Sequence, residues 1–96
     1  MYLEIITPEV TLFEGEVSSV TFPGQGGSFQ VLKNHAPIIS LLQEGQIKMR
    51  LADNSRHLDP ASGRVVLDTT DDHVYHIEVK SGVVEMQNNN LIVLVD

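Results

Sequence analysis

The chain has 96 residues, 42% of them hydrophobic and only 5% aromatic, so it holds one domain whose core is built mainly from Val, Ile and Leu. Its formal net charge of −7, with six Lys and Arg scattered along the sequence, excludes phosphate-directed nucleic-acid binding, which needs clustered cations. Cysteine is absent, which removes disulfides, thiol catalysis and thiolate metal sites together and fits a reducing compartment.

The N-terminal MYLEIITPEV has neither a basic start nor a long apolar run, so the sequence predicts no signal peptide and no membrane anchor. No later stretch approaches the roughly 20 apolar residues of a spanning helix, and a cytoplasmic setting is expected. Turn signals follow at Thr7-Pro8 and Gly15, then at Pro23-Gly24-Gln25-Gly26-Gly27. That glycine-rich run is no phosphate cradle, because it lacks a following Lys-Ser/Thr and leads into the strand-like SFQVL. In VLKNHAPII, residues 31 to 39, His35 has no base, ligand or nucleophile beside it. Its expected work is to bond loop backbone, to touch another molecule, or both, ahead of Pro37, which holds Ala36 extended.

The segment PIISLLQEG fits either one helical turn or a buried strand through Ile38, Ile39, Leu41 and Leu42, and Gly45 ends it. In IKMRL, Ile47, Met49 and Leu51 alternate with Lys48 and Arg50, which predicts a strand with one wet face. Further turn signals stand at Asp53-Asn54-Ser55, Asp59-Pro60 and Asp71-Asp72. HVYHIEVK repeats the alternation, with Tyr75, Ile77 and Val79 facing the core. Ser81-Gly82 predicts a two-residue hairpin folding strand 73 to 80 onto 83 to 87, and Asn88-Asn89-Asn90 a second turn, giving a three-stranded meander. The final LIVLV is apolar throughout, which predicts a central strand covered on both sides. Many short strands between close turns indicate an all-β sandwich or small barrel.

Catalytic constellations fail on geometry. His73 and His76 leave opposite faces of a strand and cannot share a metal. Ser55, His57 and Asp59 have the residue types of a triad, but alternate strand positions stand about 6.5 Å apart, too far for its hydrogen bonds. His57 and Asp59 lack the further ligands of a metal site. Glu14 with Glu16, and Asp71 with Asp72, read as solvent-facing charges.

Three stretches in order, LEIITPEVTLFEGEVSSVTFPGQGGSFQVLKNHAPII, LLQEGQIKM and GVVEMQNNNLIVLVD, closely resemble the N-terminal domain of the epsilon subunit of bacterial F-type ATP synthase. The match covers about residues 2 to 52 and 74 to 96, and its most specific part runs from Pro23 to Pro37. The resemblance implies an all-β fold: a single sandwich of about ten short strands over residues 1 to 96, without a C-terminal helical domain. It implies a non-catalytic rotor subunit of the central stalk that links the gamma subunit to the membrane ring of c subunits. There it supports coupling of proton or sodium flow to ATP synthesis. The expected setting is peripheral, on the cytoplasmic face of the bacterial inner membrane, with no direct membrane insertion.

Carried over by position, the ring-facing contact is Gln25, Gly26, Gly27, Ser28 and His35, and the gamma-facing contact is Thr7, Ile39, Ser40, Leu41 and Leu42. Pro23, Gly24, Ala36 and Pro37 shape the loops. No metal or other cofactor is implied, and no nucleotide site is expected without the helices that follow in the family. Ser28 departs from the acidic residue common there, so docking rests on shape and hydrogen bonding. Residues 53 to 73 form a longer connection than is usual, expected to be a lengthened hairpin with RVVLDT as an added or extended strand. Two other classes compete: an unrelated β-sandwich module for a ligand or carbohydrate, which needs exposed aromatics, and a small barrel enzyme using His57, His73 or His76.

Overall fold

A computed structural model describes residues 1–52 and 64–96. The Ser55, His57 and Asp59 set and the first half of the 53 to 73 connection lie outside the described residues. The structure is all-β, with nine strands described: β1 (Tyr2–Ile6), β2 (Thr11–Gly24), β3 (Gly27–Leu32), β4 (Ile38–Leu42), β5 (Gly45–Leu51), β6 (Val65–Leu67), β7 (Val74–Val79), β8 (Gly82–Gln87) and β9 (Asn90–Val95).

The long strand β2 organises the molecule. Its first half pairs with β1, from Tyr2↔Glu16 to Ile6↔Thr11, and its second half pairs with β3 and β5. One layer is therefore β4-β8-β9-β1 with the start of β2, and the other is β3, the end of β2, β5, β7 and β6. The change of layer is written into β2 by two irregularities in register. Leu12 is passed over between Thr11 and Phe13 in the pairing with β1, and Ser18 is passed over between Val17 and Ser19 in the pairing with β5. Each extra residue bends the strand and increases its twist. Leu12 and Phe13 are consequently both buried although adjacent in sequence.

Between the layers lies one core to which all nine described strands contribute, including Leu3, Phe22, Val31, Leu42, Met49, Val65, Ile77, Val84 and Val93. Phe22 and Phe29 stand directly across from each other on β2 and β3, with ring centroids 5.5 Å apart and planes tilted by 34°. In a chain with so few aromatics, that pair fills what branched aliphatics leave open. The alternations expected for β5 and β7 are present, with Ile47, Met49, Leu51, Tyr75, Ile77 and Val79 buried. RVVLDT supplies β6, which pairs with β7 from Val65↔Ile77 to Leu67↔Tyr75.

Two expectations need correction. Strand 73 to 80 does not fold onto 83 to 87, because the two edges of β7 already carry β5 and β6. At Ser81 the chain instead crosses to the other layer, where β8 pairs with β4 and β9. The crossing is held by Asp96, whose Oδ1 accepts from the amides of Lys80 and Ser81 at 3.1 and 3.4 Å. The true C-terminal hairpin is β8 with β9, closed by Asn88 and Asn89 at φ 54° and 61°, both central residues left-handed as a tight hairpin demands.

The second correction concerns LIVLV. Strand β9 does lie between two neighbours, β1 and β8, but it is covered on one side only by the described residues. Leu91, Val93 and Val95 are buried, while Ile92 and Leu94 remain 41% and 50% exposed. The ambiguous PIISLL segment is strand β4, with Leu42 inside and Ile39 and Leu41 outside.

Candidate functional site

The outward face of the first layer is assembled by register. Leu41 stands across from Val83, Val83 from Leu94, and Leu94 from Ile6, forming one continuous apolar row over β4, β8, β9 and β1. The next row runs Ile39, Glu85, Ile92, Glu4 and Glu14, and the one beyond it Gln87, Asn90, Tyr2 and Glu16. The face thus passes from an apolar row through a row holding three carboxylates to a polar row holding one. Ile39 and Leu41 are 74% and 57% exposed, far more than a branched aliphatic on a stable sheet needs to be. Beside Ile39, an open groove of about 450 Å³ is lined by Pro37, Ile38, Ile39, Glu85, Met86 and Gln87.

Of the residues carried over as gamma-facing, Ile39 and Leu41 sit on this face and Ser40 is half-buried between them. Leu42 and Thr7 do not present side chains to a partner. Leu42 is 1% exposed because its place in the alternation of β4 points it into the core. Thr7 is 7% exposed, and its hydroxyl donates to the Val10 carbonyl at 3.0 Å while accepting from the amides of Glu9 and Val10. Threonine serves the β1–β2 turn there. Sequence reasoning missed Ile6, Val83, Ile92 and Leu94. For Ile92 and Leu94 the signal was available in LIVLV, whose full apolarity called for a second cover that no described residue supplies, whereas Ile6 and Val83 stand in β1 and β8 with no such local mark.

The ring-facing set is divided. Gln25 to Ser28 form the exposed tip of the β2–β3 hairpin, whereas His35 lies beyond the other end of β3, a strand of roughly 20 Å. The tip is built on glycine: Gly27 has φ 127°, and a Cβ at Gly24 would meet the Phe29 ring at 2.7 Å. It is tied to β4 through the Gln25 amide to Leu41 carbonyl bond at 3.1 Å and the Gln43 amide to Pro23 carbonyl bond at 2.8 Å.

The His35 loop is tied to the β8–β9 turn. Asn34, at φ 67°, donates its amide to Asn89 Oδ1 at 2.7 Å, and Asn89 Nδ2 returns a bond to Asn34 Oδ1 at 3.0 Å. The His35 amide donates to the Leu32 carbonyl at 3.1 Å, and its Nδ1 lies 2.7 Å from the Ala36 carbonyl. A carbonyl only accepts, so Nδ1 carries the proton. The imidazole therefore bonds loop backbone, while the exposed ring leaves Nε2 open to a neighbour. Ala36 and Pro37 are exposed beside it.

No described cluster is arranged for catalysis. Asp71, Asp72 and His73 bring three potential ligand atoms within 4.8 Å, but these groups serve one another and Arg50 in the turn before β7. The amide of His73 and the guanidinium of Arg50 hold the Asp71 carboxyl below its ordinary range. His76 pairs separately with Asp68 at 2.8 Å. The Asp68 carboxyl is pulled down to about 2, first by the Thr70 hydroxyl and amide at 2.7 and 2.9 Å and then by His76. The described residues also offer no sugar-stacking platform: Phe13, Phe22 and Tyr75 are buried, and Tyr2 and Phe29 are half-buried.

Comparison with known proteins bears on the fold and the family. The sequence profile of the family "ATP synthase, Delta/Epsilon chain, beta-sandwich domain" matches residues 1–61. The ATP synthase epsilon chain of a Nitratiruptor species is 52% identical over 54 residues, covering 56% of this chain and 42% of that protein. The epsilon chain of Sulfurimonas denitrificans is 35% identical over 94 residues, covering 98% of this chain and 58% of that protein. The chain thus spans about half the length of these curated relatives. Among solved structures, the central stalk and c-ring of the Tetrahymena thermophila mitochondrial ATP synthase contains a chain sharing the fold, with a TM-score of 0.69 at 16% identity, covering 99% of this chain and 62% of that one. With the profile matched over more than half of its residues, the chain belongs to the ATP synthase delta/epsilon β-sandwich family.

Proposed function

We propose that this chain serves as a non-catalytic rotor domain of an F-type ATP synthase, joining the gamma subunit to the membrane c-ring and supporting the coupling of proton or sodium flow to ATP synthesis. The single observation carrying this reading is the outward face of the first layer, where Leu41, Val83, Leu94 and Ile6 align across four strands, with Leu41 and Leu94 57% and 50% exposed. A stalk component must attach firmly and transmit torque. Covering each exposed branched side chain is worth about 1–2 kcal/mol, and a close-packed two-layer core resists deformation under load.

In this reading gamma covers the apolar row, and the ring meets the Gln25 to Ser28 tip or His35 with its open Nε2. The separation of these two elements along β3 lets the two ends of one strand address different places on the rotor. The domain then sits at the membrane surface, on the cytoplasmic face of a bacterial inner membrane, without entering the bilayer. Pull-down of the intact chain from membranes in mild detergent tests the reading. Recovery of gamma and c subunits is expected; recovery of neither, or of an unrelated soluble complex, overturns it.

A further inference from the structure

The apolar row has an acidic neighbour whose arrangement is unfavourable in the free chain. Glu4 on β1 is directly across from Glu14 on β2, and Glu85 lies in the same row beyond Ile92. Like charges placed directly opposite on adjacent strands destabilise the pair. Among the described residues, no ion pair joins Glu4, Glu14 or Glu85 to a cation, whereas Glu16 in the next row takes the N-terminal ammonium at 3.2 Å. The Tyr2 phenol, flanked by this group, is pushed above its ordinary pKa by burial and then by Glu14, Glu4 and Glu16.

We infer that the outward face of the first layer is built for a protein partner of defined chemistry: an apolar ridge along Leu41, Val83, Leu94 and Ile6, bordered by lysine or arginine side chains that meet Glu85, Glu4 and Glu14. The inference rests on the reading of this face as the gamma dock and specifies what gamma must present there. An all-apolar partner would desolvate three carboxylates without compensation, and an acidic one would add repulsion. A basic border removes the mutual repulsion of Glu4 and Glu14 on docking and fixes the register of the apolar ridge, since a shift by one row, two residues along each strand, would set its cations against Leu41 and Leu94. The chain's overall charge of −7 draws the same partner from a distance.

The test titrates the gamma subunit of the same ATP synthase against the intact chain at about 50 and about 300 mM salt, where screening differs strongly. The isosteric double variant Glu4→Gln, Glu14→Gln is expected to bind about tenfold more weakly at low salt and to show a flatter salt dependence. Its free form is expected to melt at a higher temperature than the wild type, because the cross-strand repulsion is gone. A double variant that binds like the wild type at both salts, or that melts lower, overturns the basic border while leaving the gamma reading intact. Ile39→Ser with Leu41→Ser is expected to weaken binding equally at both salts. A wild-type chain that does not bind gamma at either salt overturns the gamma reading and this inference with it.

Discussion

The two outward faces of the sandwich solve the problem of facing water differently. On the second layer, Gln46, Lys48 and Arg50 alternate out of β5, and Gln46 and Lys48 meet Glu78 and His76 of β7 in register. Polar groups there find partners within the chain: Gln46 Nε2 donates to Glu78 Oε1 at 3.2 Å, Arg50 pairs with Asp71, and His76 with Asp68. On the first layer the same kind of alternation places Ile39, Leu41, Ile92 and Leu94 outside, beside carboxylates without described cations. Val66 at 55% and Leu32 at 53% are exposed on the second layer too, but there they stand apart from one another, whereas on the first layer the exposed aliphatics occupy neighbouring register positions. The contrast points to a docking surface without any catalytic residue to mark it.

The layers share one core, so the largest effect comes from removing what both depend on. Phe22→Ala takes away the ring that packs on Phe29 and is expected to cost about 3–5 kcal/mol, read as a lower urea midpoint. The loss should appear as one cooperative transition, and two separated transitions would show that the layers unfold independently. Next in size, Ile39→Ser is expected to change the stability of the free chain by no more than about 1 kcal/mol, because the side chain is 74% exposed and mainly strand propensity is lost. The same variant is expected to lose at least about tenfold in gamma binding, while Lys48→Asp on the opposite face leaves binding within about twofold.

A more local effect is expected at the tie between the His35 loop and the β8–β9 turn. Asn89→Ala removes the reciprocal amide pair and places alanine at φ 61°, for a combined loss of about 1–2 kcal/mol. Faster hydrogen exchange of the Asn34 amide, with β5 amides unchanged, is the expected signature. The smallest effect belongs to the polar face. The Asp68 carboxyl titrates at about 2 in the folded chain against an ordinary 3.8, so the unfolded chain binds its proton more readily. Its contribution is present above about pH 4 and is lost as pH falls toward 2. Asp68→Asn is expected to flatten the acid limb of the stability curve, and an unchanged limb would assign that limb to other carboxylates.

Much of this was legible locally. Alternation in IKMRL and HVYHIEVK placed Met49 and Tyr75 in the core, because a strand packed on one side imposes a period of two. The stretch from Pro23 to Pro37 carried the family. Other parts were hidden for physical reasons. A Ser-Gly pair permits a tight turn but does not say which strand edges are vacant, and β7 had none left for β8. Thr7 and Leu42 were carried over as contacts by position alone, and position does not reveal which way a side chain points. LIVLV shows two apolar faces in its composition; that the described residues cover only one of them is information the assembled sheet alone contains.

By itself the sequence determined most of the strands, their inward residues, the glycine-built tip and the family. These follow from short-range physics: side-chain period, backbone conformations that Gly and Asn tolerate, and an ordered motif within one stretch. Tertiary structure alone decided the pairing order, the passage of β2 between layers at Leu12 and Ser18, and the placing of Leu41, Val83, Leu94 and Ile6 in one row. Those four residues are spread along the chain and carry no common local pattern. They become a surface only because hydrogen-bond register, set by the whole sheet at once, lines up their side chains on one face.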